Sequence, residues 1–206
     1  MDSAFALTAF VTLFVTIDPI GLTPVFISLT RGMPTGLRRA ISLRACLAAI
    51  VLLTLFGLLG ENLLRFIGIS MPAFRIAGGV LLFLTAIDML FERRTQRREG
   101  QSDGADDHAD PSIFPLAMPL IAGPGAMATM ILLVGQAGPG WQGSAAVLGV
   151  MAAVVAITFA LFQAAGLLER ALGRTGVLVI TRLLGMLLAA LSVQFVIDGI
   201  RGAGLL

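Results

Sequence analysis

Runs of about twenty apolar residues recur along this chain, at about Ala4 to Leu29, Ala40 to Leu59, Met71 to Phe91, Ile113 to Val134, Ser144 to Leu167 and Val177 to Ile200. Each is long enough to cross roughly 30 Å of hydrocarbon as a helix. None alternates with the period of two that a transmembrane strand requires. A hydrophobic share of 57% against 13% charged residues excludes an ordinary soluble domain. The expectation is an all-α membrane protein with six transmembrane helices. Met1-Asp2-Ser3 lacks the basic start of a secretory signal and the first run is too long for its apolar segment, so a retained first span is expected.

Two of these runs carry interruptions. Asp18-Pro19-Ile20-Gly21 lies inside the first, and Pro119 with Gly123-Pro124-Gly125 inside the fourth. Proline removes a backbone donor and clashes with the preceding turn, and glycine weakens a helix, so both runs should be broken or kinked. A break exposes amides where one half-helix starts and carbonyls where the other ends. Such a place can take a carboxylate and an ammonium together, which suits a zwitterion. For one isolated motif a simple packing kink explains as much, but two breaks in corresponding halves point to a binding site.

Arginine placement predicts orientation. All fourteen basic residues are arginine. Arg31, Arg38 and Arg39 follow the first span, Arg93, Arg94, Arg97 and Arg98 the third, and Arg170 and Arg174 the fifth. Arg65 and Arg201 mark the opposite side. Basic flanks stay in the cytoplasm, so both termini are expected outside, in an inner or plasma membrane. Residues 92–111 read as a polar cytoplasmic linker between three-span halves at 1–91 and 112–206, together one membrane domain. Because three is odd, a duplicated half must insert inverted. The two interruptions align, as do Arg75 to Gly78 and Arg182 to Gly185, and each third span ends in an acid, Asp88 or Asp198. Two inverted three-helix repeats, the first helix of each broken, are therefore expected.

Asp18 is the sharpest chemical signal, because an ionisable group at bilayer depth must face protein or water and find partners. It reads either as a proton acceptor or cation ligand, or as the cap of a half-helix starting at Pro19. Thr16, Thr23, Ser28 and Thr129 offer hydroxyls, although single hydroxyls in such helices often bond their own preceding turn. Arg75 with Asp198 and Arg182 with Asp88 are expected as structural or gating ion pairs, with snorkelling to the interfaces as the alternative. Arg44 reads as a snorkelling anchor that also attracts anions, and Trp141 as an interfacial anchor. Gly78-Gly79 allows helix association within the chain or in a homo-oligomer.

Other chemistries find little here. Cys46 has no partner for a disulfide. His108 stands alone in the linker, whose aspartates Asp103, Asp106, Asp107 and Asp110 match no calcium loop, so no metal or cofactor is expected. The absence of lysine excludes a Schiff base, and no Ser/His pair, HExxH or paired aspartates indicate an enzyme. The arginines border spans, which makes lipid headgroups and not nucleic acid their partner.

DPIGLTPVF from Asp18 to Phe26, FRIAGGVLLFLTAIDML from Phe74 to Leu90 and PLAMPLIAGPGAMAT from Pro115 to Thr129 together resemble the MarC family of integral membrane proteins. The resemblance covers nearly the whole chain. It implies six spans, an inner-membrane location, kinship with the lysine-exporter superfamily and, by likeness to cation-coupled importers of glycine and alanine, a site at Asp18, Pro19, Gly21, Gly123, Pro124 and Gly125. The expected function is a secondary transporter of small neutral amino acids or similar zwitterions, coupled to H+ or Na+. An exporter of amino acids or small toxic solutes, and a non-transporting scaffold or sensor, are the alternatives.

Overall fold

The computed structural model describes residues 3–91, 110–138 and 140–204. Eight segments follow one another among them: α1 (Ser3–Ile17), α2 (Pro19–Leu29), α3 (Thr35–Ile67), α4 (Met71–Leu90), α5 (Ser112–Ile121), α6 (Pro124–Gln136), α7 (Trp141–Gln163) and α8 (Ala165–Gly202). The described residues hold no strand. The expectations for Arg93, Arg94, Arg97, Arg98, Asp103, Asp106, Asp107 and His108 lie outside the described residues.

Five crossings are long and apolar enough for a bilayer by themselves: α1 with α2, α3, α4, α7, and α8 from Thr175. The bent pair α5–α6 makes a sixth if it forms one span. The helices overrun the apolar stretches. At 33 residues, α3 is about 50 Å long, more than a hydrocarbon core requires. Its charged ends, with Arg38 and Arg39 at one and Glu61 and Arg65 at the other, continue helically past the apolar part. Hydropathy marks only the embedded portion. Likewise α8 starts before the expected Val177, with Gly173 (φ 60°, ψ 179°) interrupting it.

The two interruptions differ from each other. At Asp18 helical bonds flank the interruption: the Asp18 amide donates to Phe14 O at 2.8 Å and the Leu22 amide to Asp18 O at 3.0 Å. Because the missing amide of Pro19 falls in the first turn of α2, where no intrahelical partner exists, α1 and α2 run on as one 27-residue crossing. The expected interruption is present, since Asp18 separates the two helices, but they are not bent by more than 40°. The second interruption goes further, with α5 and α6 bent by 56°. Phe114 and Met118 are extended before Pro115 and Pro119, as residues preceding proline prefer. Amides in α5 reach back five residues instead of four, Leu116 to Pro111 O at 3.2 Å and Ala122 to Ala117 O at 2.8 Å.

The core divides into two clusters, and α1 and α6 supply residues to both, as does α8 through Ala165. One joins them to α2, α3, α5 and α7, the other to α4 and α8. The interrupted segments therefore lie in the middle, flanked by α3–α7 and α4–α8. The antiparallel run of α3 and α7 is fixed at one end by Gln163 Nε2 donating to Ser42 Oγ at 2.7 Å.

Small residues every seventh position join α4 to α8. A methyl added at Gly79 would stand 2.8 Å from Ser192 O, one at Gly199 2.9 Å from Pro72 O, and one at Gly185 3.3 Å from Ala86 O. Lipid tails are as apolar as leucine, so burial supplies little drive between membrane helices and close backbone contact must supply it. The outward faces carry Leu47, Val51, Leu183 and Leu187, all exposed. Gly79→Ala should cost about 1–3 kcal/mol by overpacking, whereas Gly149→Ala, where nothing lies within 4 Å, should be neutral or stabilising. Thermal unfolding of the two purified variants in one detergent checks the contrast.

Candidate functional site

Asp18 is fully buried and adopts the left-handed conformation (φ 56°, ψ 65°), the single non-glycine residue with positive φ among the described residues. Aspartate tolerates this region better than most side chains. In it, Oδ1 accepts the Gly21 amide at 3.0 Å and caps α2, with Pro19 at its first position. Gly21 must be glycine because a β-carbon would run into the Asp18 carboxylate. The motif is thus one local device in which acid, proline and glycine depend on each other.

The second interruption has no such device. Gly123 precedes α6, Pro124 opens it, and no side chain caps its first amides. The N-terminal end of α6 therefore presents a partial positive charge. Tertiary packing brings this end against the first crossing. A methyl at Gly125 would lie 3.3 Å from Thr16 Cγ2 and 3.7 Å from Thr85 Oγ1. Thr16 stands two residues before Asp18. One turn beyond Gly125, on the same face of α6, Thr129 is fully buried and its hydroxyl has no partner among the described residues.

The remaining hydroxyls divide. Thr16 donates to Thr12 O at 2.7 Å and Thr23 to Pro19 O at 3.1 Å, both bonding their own preceding turn. Ser28 is exposed on α2 and does not join the group. Thr85 on α4 and Thr181 on α8 were not singled out from the sequence, where an isolated threonine in an apolar run carries no signal. Yet Thr85 meets Gly125, and Thr181 Oγ1 is buried without a partner among the described residues.

Of the charged residues of the third spans, Arg75 and Asp88 are on α4, and Arg182 and Asp198 on α8, with Arg182 exposed. Asp198 Oδ1 accepts from Gln194 Nε2 at 2.8 Å and is not paired with Arg75, whose Nε is buried without a partner. In the register set by the glycines, Asp198 faces Ala73, two residues from Arg75, and Gln194 on its own helix is the nearer donor. Arg182 stands level with Met89, and Asp88 with Leu183. Arg44 does not simply snorkel: it pairs with Asp110 at 2.6 Å, tying α3 to the segment entering α5. Trp141 is exposed at the start of α7. The described residues contain no cluster of three His, Cys, Asp or Glu able to hold a metal.

The family described as MarC family integral membrane protein matches residues 3–204 of this chain. The chain is 34% identical to a UPF0056 membrane protein of Methanocaldococcus jannaschii, across 98% of this chain and 99% of that protein. It is 36% identical to the UPF0056 membrane protein YvbG of Bacillus subtilis, across 98% and 97%. With YhcE of Escherichia coli, also a UPF0056 membrane protein, it shares 34% identity across 94% and 90%. No solved structure matches.

The Asp18 cap separates geometry from charge. Asn caps helices and enters the left-handed region about as well as Asp, so Asp18→Asn should keep the fold, whereas Asp18→Ala should lose about 0.5–2 kcal/mol. Melting curves of the two variants in bilayer nanodiscs measure the difference.

Proposed function

The chain belongs to the MarC family of integral membrane proteins, and from that premise and the site above we propose that it is a secondary transporter of small neutral amino acids. The observation that carries the reading is the apposition of the two interruptions, with Gly125 against Thr16 and Thr85. The uncapped start of α6 suits a substrate carboxylate, and Thr129 offers a hydroxyl without a partner among the described residues. Asp18, buried beside the same place, is the coupling carboxylate for H+ or Na+. Pro19, Gly21, Thr23, Gly123 and Pro124 hold the shape of the site.

In this proposal the halves 1–91 and 112–206 are inverted repeats that rock about the centre, exposing the site to each side in turn. The antiparallel pairs α3–α7 and α4–α8, one member from each half, support it. So do two cavities at opposite ends of α3–α7. One, of about 510 Å³, is lined by Glu61, Asn62, Trp141 and Ser144, the other, of about 350 Å³, by Thr35, Arg38, Gln163 and Arg170. Arg182 on α8 and Asp88 on α4, one residue apart in register, act as a gating pair. The arginine-rich end faces the cytoplasm of an inner membrane, by the distribution of basic residues.

Uptake of labelled glycine or alanine into liposomes containing the purified protein, with and without an imposed H+ or Na+ gradient, tests the proposal. Wild type should accumulate substrate only with the gradient, and Asp18→Asn should lose the coupling while still folded. Absence of transport by a folded wild type ends the reading. Thr129→Val should lower uptake while leaving stability unchanged or raising it by about 1 kcal/mol, since a buried hydroxyl without a partner is removed. Uptake and melting temperature measured on the same preparation read both effects.

A further inference from the structure

The 350 Å³ cavity at the arginine-rich end has features that the central site does not require. Its lining is Phe26, Thr35, Arg38, Phe162, Gln163, Gly166, Leu167 and Arg170, two guanidinium groups with no carboxylate among them. Neither lining arginine takes part in the ion pairs Arg44–Asp110 and Arg65–Glu61. Two like charges in one recess repel each other and attract an anion.

Arg38 is held in place before any ligand arrives. Its Nε donates to Thr30 Oγ1 at 3.1 Å, and its guanidinium lies 5.6 Å from the centroid of the Phe26 ring. That ring stacks on Phe162 with centroids 4.5 Å apart and planes inclined by 9°. With Nε committed, the two terminal nitrogens of Arg38 remain as a fork, the geometry that matches two oxygens of a phosphate. Gln163 and Thr35 add neutral donors, and the stacked rings with Leu167, which is 71% exposed, give the recess an apolar border.

We propose that this cavity binds a phosphate group, carried by an anionic lipid headgroup or by a soluble phosphate, between Arg38 and Arg170. The cavity is one of the two that support alternating access, but phosphate binding here does not require that the protein transport anything. It sits at the junction of α2, α3, α7 and the start of α8, so an occupied cavity braces the first half of the chain against the second.

The test uses the full chain in nanodiscs of phosphatidylcholine alone or with phosphatidylglycerol, and in phosphatidylcholine with added inorganic phosphate, read by thermal unfolding and by native mass spectrometry. Stabilisation by phosphatidylglycerol alone supports a lipid headgroup, and stabilisation by inorganic phosphate supports a soluble source. Arg170→Gln removes an exposed side chain with no hydrogen bond among the described residues and so keeps the fold. It should weaken binding roughly tenfold, as expected for loss of a charge-assisted hydrogen bond. Arg38→Gln/Arg170→Gln should abolish the stabilisation, while Arg31→Gln/Arg39→Gln, the same charge change at exposed positions outside the cavity, should leave it intact. No stabilisation by either anion, full retention in Arg170→Gln, or equal loss in the two double variants would overturn the proposal.

Discussion

A backbone amide or carbonyl left open in hydrocarbon costs several kcal/mol, so a membrane helix can be interrupted only where something else takes over its hydrogen bonds. The two interruptions in this protein meet that demand differently. At Asp18 the chain supplies its own acceptor, and the left-handed turn, the proline and the glycine follow from the need to aim that carboxylate at the start of α2. In α5 the backbone solves the problem by widening its turns, with amides bonding five residues back between the prolines. The first solution leaves a single candidate span, and the second bends its pair of segments by 56°.

That difference sets what each interruption can do. Once α2 is capped by Asp18, its start is no longer a strong anion site. The start of α6 has no side-chain cap and keeps its partial positive charge. The two together are asymmetric, with a carboxylate contributed by one crossing and helix-start amides by the other. A zwitterion has the matching asymmetry, which is why the proposed substrate class follows from the pair and not from either motif alone.

The flanks are built on another principle. Between α4 and α8 the contact is nearly backbone on backbone, through Gly79, Gly185, Ser192 and Gly199, and leaves little room for side chains to adjust. On α3 the buried face mixes small residues, Ala45, Ala49, Gly57 and Gly60, with Ile41, Leu53 and Leu64, while Leu43, Leu47, Leu55 and Leu59 are exposed. Close contact of this kind favours movement as whole units over local deformation, because a packed interface has few intermediate arrangements. The aromatic stack of Phe26 on Phe162 joins the two halves through side chains instead, at the end where the arginines gather.

Taken alone, the amino-acid order determined the helical membrane class, the approximate spans and the positions of both interruptions. Each rests on local chemistry: apolar length, the missing amide of proline, the freedom of glycine. The cap at Asp18 was legible for the same reason, since acid and acceptor site lie three residues apart. The helix ends were less so, because α3 and α8 continue through polar turns that hydropathy cannot distinguish from loops. Tertiary structure alone decided that Gly125 meets Thr16 and Thr85, that Thr129 stays unpartnered, that Asp198 turns to Gln194 and Arg44 to Asp110, and that Arg38 and Arg170 share one recess. These are distances between segments far apart in the chain, set by the register in which small residues let the backbones close, and no local pattern contains them.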